Sequence, residues 1–156
     1  GNEYVETEQE LYDDLERKLN QGDISQDLYD SFVELYEFAE NLGDEIKIGG
    51  AKNANFGLQV EAHIGDYSGN PSVFTANVND KVKVWTASMP LDDEDPVESP
   101  VPWDKSEYLH YEEKFQELFD VSDPKVPTTA LTEGDNLTKF KAIVQEFVEH
   151  CRKATR

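Results

Sequence analysis

Residues 56–64 read Phe56-Gly57-Leu58-Gln59-Val60-Glu61-Ala62-His63-Ile64, and residues 72–85 read Ser72-Val73-Phe74-Thr75-Ala76-Asn77-Val78-Asn79-Asp80-Lys81-Val82-Lys83-Val84-Trp85. In the first stretch Phe56, Leu58, Val60, Ala62 and Ile64 alternate with Gly57, Gln59, Glu61 and His63, the period of two that marks a strand with one buried face. The second stretch holds two strands, about 72–78 and 82–88, joined at Asn79-Asp80. A two-residue turn there would set Lys81, Lys83 and Trp85 against Val78, Ala76 and Phe74 and mix charge into the apolar face. A three-residue loop, Asn79-Asp80-Lys81, aligns Val78 with Val82 and Ala76 with Val84. It keeps one face apolar, because a one-residue slip reverses every side chain. Lys83 and Trp85 then share the other face. Ile46 and Ile48 add a short strand before Gly49-Gly50. The strands are linked too briefly for crossover helices, so they pair antiparallel.

On either side of this sheet the period changes. Thr7-Glu8-Gln9-Glu10 has the form of a capping box, and Leu11, Leu15 and Leu19 follow at helical spacing, which predicts a helix over 8–20 closed by Gln21-Gly22. Ser25 opens a second helix, with Ile24 set to staple onto Tyr29, Leu28, Phe32, Leu35, Ala39 and Leu42 as its buried stripe and Gly43 as its C′ residue. After the sheet, residues 90–104 form an acidic, proline-rich connection expected to be extended. Asp104 and Glu107 cap a third helix with Tyr108, Tyr111, Phe115, Leu118 and Phe119 on one face. Residues 123–132 read as irregular, and a last helix over 135–153 buries Leu137, Phe140, Val144, Phe147, Val148 and Cys151. The expected class is α+β. Two N-terminal helices precede an antiparallel sheet of three to four strands, and two C-terminal helices pack on that sheet.

The 156 residues fit one domain, 1–156, with residues 1–6 disordered or tag-derived. The chain opens on Gly1 instead of Met, as a trimmed leader or a piece of a longer protein would. There are 34 acidic and 14 basic residues and a net charge of −20. The charge is uneven: residues 1–45 carry −13 and residues 46–90 carry +1. A broad basic nucleic-acid surface is therefore disfavoured, while a local patch on the middle segment is allowed. A single Cys excludes a disulfide framework and any multi-cysteine zinc site. No apolar run approaches the roughly 18 residues of a membrane span, and a cytoplasmic location is expected.

Catalytic constellations are weak. Glu61 and His63 share a strand face and are the best metal seed, but one Glu and one His on a strand are ordinary surface, and no metal or other cofactor is expected. Cys151 beside His150 is not a thiol–base pair, since adjacent helical residues diverge by about 100°. Asp92-Asp93-Glu94-Asp95 lacks the alternating ligands and central Gly of a calcium loop. Glu45 and Lys47 form half of a restriction-type nuclease motif without the second-strand acid that chemistry needs. No catalytic residue is assigned.

Gly49-Gly50-Ala51-Lys52, Asn55-Phe56-Gly57-Leu58, Ser72-Val73-Phe74-Thr75 and Val82-Lys83-Val84-Trp85 together resemble an uncharacterised prokaryotic domain family found alone or appended to restriction-type and other DNA-associated proteins. The resemblance covers most of residues 24–153. It implies the same α+β layout and a defence or DNA-associated context, and no catalytic residue. Lys81 stands where the family's hairpin carries Gly, so a strained turn is expected there. The expected function is a non-catalytic protein-interaction or accessory module with an unknown protein partner. Its candidate surface is the second sheet face with Lys83 and Trp85, together with the Lys47 and Lys52 edge. Nucleic-acid contact through that face is the alternative, and a metal-dependent enzyme resting on Glu61 and His63 or Glu45 and Lys47 ranks third.

Overall fold

The computed structural model describes residues 4–60, 72–85 and 105–155. Helix α1, Glu8–Gln21, starts where Thr7 accepts a hydrogen bond from the Glu10 amide at 3.1 Å, and stops where Gly22 takes a left-handed φ of 77° and its N–H returns to Leu19 and Lys18. Helix α2, Gln26–Leu42, is capped by Ser25, whose hydroxyl accepts from the Leu28 amide at 3.0 Å. Four strands follow: β1 Glu45–Lys47, β2 Asn55–Gln59, β3 Ser72–Asn77 and β4 Lys81–Val84. Helix α3, Lys105–Phe119, leads to a fifth strand, β5 Lys125–Pro127, then a 3₁₀ turn over Thr128–Thr132 and helix α4, Asn136–Thr155. The Glu61–His63 pair, the acidic connection and the Asp104 cap lie outside the described residues.

All five strands pair antiparallel in the order β1-β2-β3-β4-β5. Among the described residues the sheet therefore has five strands, where three to four are read from the sequence. The extra strand is β5, only three residues long with Pro124 before it and Pro127 at its end, too short to show a period. Val126 is its one buried side chain, set opposite Val82.

One face of the sheet carries Phe56, Leu58, Phe74, Ala76, Val82 and Val84, all buried. A run of edge-on ring contacts ties it to the helices: Tyr12 to Tyr36, Tyr36 and Phe32 to Phe56, Phe56 to Phe74, and Phe74 to Phe140 at 5.2 Å. Such pairs add to area burial, about 0.5–1.5 kcal/mol each. Helix α3 joins through Tyr111, stacked on Phe147 at 4.3 Å and donating its hydroxyl to the Val73 carbonyl at 3.0 Å. Cys151 is buried in this core, and burial pushes its thiol pKa well above the ordinary range.

Three local expectations need correction. The β3–β4 register places Ala76 opposite Val82 and Phe74 opposite Val84, two residues from the alignment read in the sequence. The reason is Val78. Its side chain is buried and its N–H bonds to the Ala54 carbonyl at 2.9 Å, so it leaves the ladder and the loop becomes Val78-Asn79-Asp80. Because the slip is even, Val82 and Val84 still face the core. Lys81 is not strained, since Asp120 is the only non-glycine with positive φ among the described residues. Gly43 also differs. Its φ of −80° is ordinary, and its lack of a side chain matters because a Cβ would collide with Leu58 Cδ1 in the core.

Candidate functional site

With the helices on one side, the other side of the sheet is open among the described residues, and cross-strand pairing builds a row along it. Lys47 lies opposite Gly57, Gly57 opposite Thr75, Thr75 opposite Lys83, and Lys83 opposite Lys125. Paired residues share a face, so three lysines, a glycine and a threonine form one line across five strands. Lys81, two residues before Lys83, joins the same face. An open hollow of about 530 Å³ runs along this row, with Gly57 and Thr75 in its floor and the four lysines around it. A Cβ on Gly57 would press against Thr75 Cγ2 at 3.1 Å, so the glycine keeps the middle of the row low.

Trp85 is fixed at one side of the row. Its indole N–H donates to Thr75 Oγ1 at 2.8 Å, and Lys83 Nζ sits 3.8 Å from the ring centroid. Such a cation–π contact is worth about 0.5–1 kcal/mol at an exposed site. Trp85 and Lys83 are both half-buried, and Trp85 shares the face of Lys83 and Thr75, away from the described helices. Its ring is held in one orientation before any partner arrives.

The charge pairing of the molecule sets this face apart. Among the described residues, Lys18, Lys114, Lys139 and Lys141 each reach a carboxylate within 4 Å, whereas Lys47, Lys81, Lys83 and Lys125 form no such pair. The described acids on this side are Glu45, two residues before Lys47 on β1, and Asp80 in the hairpin loop.

Of the residues singled out by sequence, Lys47, Lys83 and Trp85 are brought to one face. Lys52 is not: it lines a small hollow against α1, near Glu10, Asp13 and Arg17. Lys81 and Lys125 are added by the structure. The alternation Lys81-Val82-Lys83 signals the first. Lys125 could not be found without β5.

A second hollow, about 430 Å³, lies between α3 and α4. Glu146 is central there, accepting from Lys114 Nζ at 2.8 Å with His110 Nε2 at 3.8 Å and His150 Nε2 at 3.9 Å. The Lys114 hydrogen bond holds the Glu146 carboxyl below its ordinary pKa. Glu107 faces the other nitrogen of His150 at 3.7 Å. The Glu146 carboxylate is thus taken up by the Lys114 ammonium. Among the described residues no group of three or more His, Cys, Asp or Glu is arranged to hold a metal ion, and no helix is long and apolar enough to cross a membrane.

Comparison with known proteins returns no match: no family model, no curated protein and no solved structure is similar to this chain.

Proposed function

We propose that the chain is a non-catalytic interaction module that docks a partner protein on the open face of its sheet. The observation that carries this reading is the row of lysines that, among the described residues, have no carboxylate partner, in a chain with 34 acidic residues. Clustered like charges cost free energy in the unbound molecule, and that cost is recovered when an oppositely charged surface lies on them. Trp85 supplies what an interface anchor needs, a large ring already ordered by Thr75 and Lys83. The groups on the face are ammonium, hydroxyl and amide, suited to holding an anion in place.

Nucleic-acid contact is the second reading, favoured by one observation: an indole ring beside cations is how single strands are gripped. The resemblance to DNA-associated domains points the same way. The acidic helices count against it, because a strand longer than the sheet would run into their field.

The test is direct. A partner captured from native cells is purified, and its affinity for the wild-type chain is compared with that for Lys83→Glu, Trp85→Ala and Lys52→Glu. The expected result is a loss of tenfold or more for the first two and none for the third, since a central Trp anchor contributes about 2 kcal/mol or more. Equal affinity for all four proteins would remove the sheet face as the docking surface.

A further inference from the structure

We infer that the occupant of the open face is an extended acidic segment of the partner protein that crosses the strands, with two carboxylates four residues apart. This rests on the interaction-module reading and adds to it the chemistry and direction of the bound chain.

The geometry of the row sets the spacing. Lys47 is on β1 and Lys83 on β4, three strand separations away, or about 14 Å. An extended chain advances about 3.3–3.4 Å per residue, so residues i and i+4 are also about 14 Å apart. Four is an even number, so both side chains point to the same side and both reach the sheet. Gly57 and Thr75, between the two lysines, leave room for the intervening small residue.

The second carboxylate has the better-built seat. Lys83 and Lys125 are directly opposite one another, and Lys81 is two residues from Lys83 on the same face. Like charges directly opposite destabilise a strand pair. An anion between Lys83 and Lys125 converts that repulsion into two attractions. The indole of Trp85 flanks the seat and offers apolar contact to a residue beside the acid.

Strand addition at a sheet edge is the competing mode, and the edges do not suit it. The edge strands β1 and β5 are three residues each, and β5 ends in Pro127. The central strands already spend their backbone groups on one another. A segment lying across the face needs only side-chain contacts. A polynucleotide carries charge along its whole length and extends past a row of about 19 Å. A short acidic segment ends within it.

The experiment is an NMR titration of the full, isotopically labelled chain with the capped peptide Glu-Thr-Ser-Thr-Glu. Comparison ligands are the peptide with both Glu replaced by Gln, one with its two Glu only two residues apart, and an eight-residue oligothymidylate. The expected result is saturable shifts of Lys47, Thr75, Lys83, Lys125 and the Trp85 indole. The Gln peptide and the closely spaced peptide should each bind about tenfold more weakly, as should the parent peptide to Lys83→Gln/Lys125→Gln. Equal binding of the Gln peptide overturns the acidic occupant, and equal binding of the closely spaced peptide overturns the crossing geometry. Tighter binding of the oligothymidylate makes the occupant a nucleic acid. All three results leave the face as a docking site. Failure of every ligand to shift the row, together with unchanged binding of the purified partner to Lys83→Glu, sinks the module reading itself.

Discussion

Asp14 lies on α1 between Asp13 and Leu15 and is almost wholly buried. Its carboxylate accepts from Lys18 Nζ at 2.5 and 2.6 Å, from Arg17, and from the Ala54 amide at 2.7 Å. The last contact spans forty residues and ties α1 to the start of β2, so the N-terminal helix and the sheet are joined by one side chain. Removing it would leave the buried Lys18 ammonium and the Ala54 N–H without their acceptor. Asp14→Ala is therefore expected to cost about 3–5 kcal/mol, read from the urea midpoint at unchanged slope. Asp14→Asn keeps an acceptor for Ala54 and should lose less. Equal midpoints for wild type and Asp14→Ala would show that the pair contributes nothing. In the sequence Asp14 is one of 15 acids within the first 45 residues, and nothing local distinguishes it. Thr7 and Ser25, by contrast, are readable as caps because their partners are three residues away.

The same division between local and distant causes holds for the elements. Both N-terminal helices and α4 declare themselves through spacing, and the face of each strand through alternation. The β3–β4 register is legible only to its parity. The two-residue slip depends on the Val78 amide finding Ala54, just before β2 and 24 residues earlier. Gly43 ends α2 as its sequence position suggests, but the requirement it meets comes from Leu58 on β2. Strand β5 exists because β4 offers a free edge, so its three residues acquire a conformation that their own sequence does not impose. For the site, Lys47, Lys83 and Trp85 were within reach of pattern, whereas Lys125 depends on that edge pairing. The Lys83–Lys125 opposition yields a prediction on this scale. Lys125→Glu turns a like-charged pair into an opposite one and should raise stability by about 0.5–1 kcal/mol, a rise of roughly 1–4 °C in Tm. The same substitution should weaken the acidic peptide at least tenfold. A fall in Tm would mean that the two lysines do not repel in the unbound sheet, and the argument that their charge is kept for a ligand would lose its basis.

For the whole molecule, the row of lysines is a small positive region on a body of −20. An approaching acidic segment meets two fields of opposite sign. The distant one is repulsive and comes mainly from residues 1–45, whose α2 packs against the sheet on the side away from the row. Apart from Glu45, which lies on the row's own face, those charges stand back by at least a helix diameter, about 10–12 Å. The near field is attractive and acts over the few ångströms between an ammonium and a carboxylate. Salt separates the two through the Debye length, about 30 Å at 0.01 M, 8 Å at 0.15 M and 3 Å at 1 M. At the lowest ionic strength the whole body repels the ligand. Near 0.15 M the helices are screened while the contact pairs are not, and at 1 M the pairs are screened as well. Affinity for Glu-Thr-Ser-Thr-Glu should therefore rise and then fall, with its maximum near 0.1–0.2 M. A nucleic acid bound by counterion release would weaken steadily across the same range. Fluorescence anisotropy of a labelled peptide at six or more salt concentrations reads the difference. A steady fall from 0.01 M would show that the acidic helices are not felt at the sheet face, and a steady rise would show that the lysine row is not the site of binding.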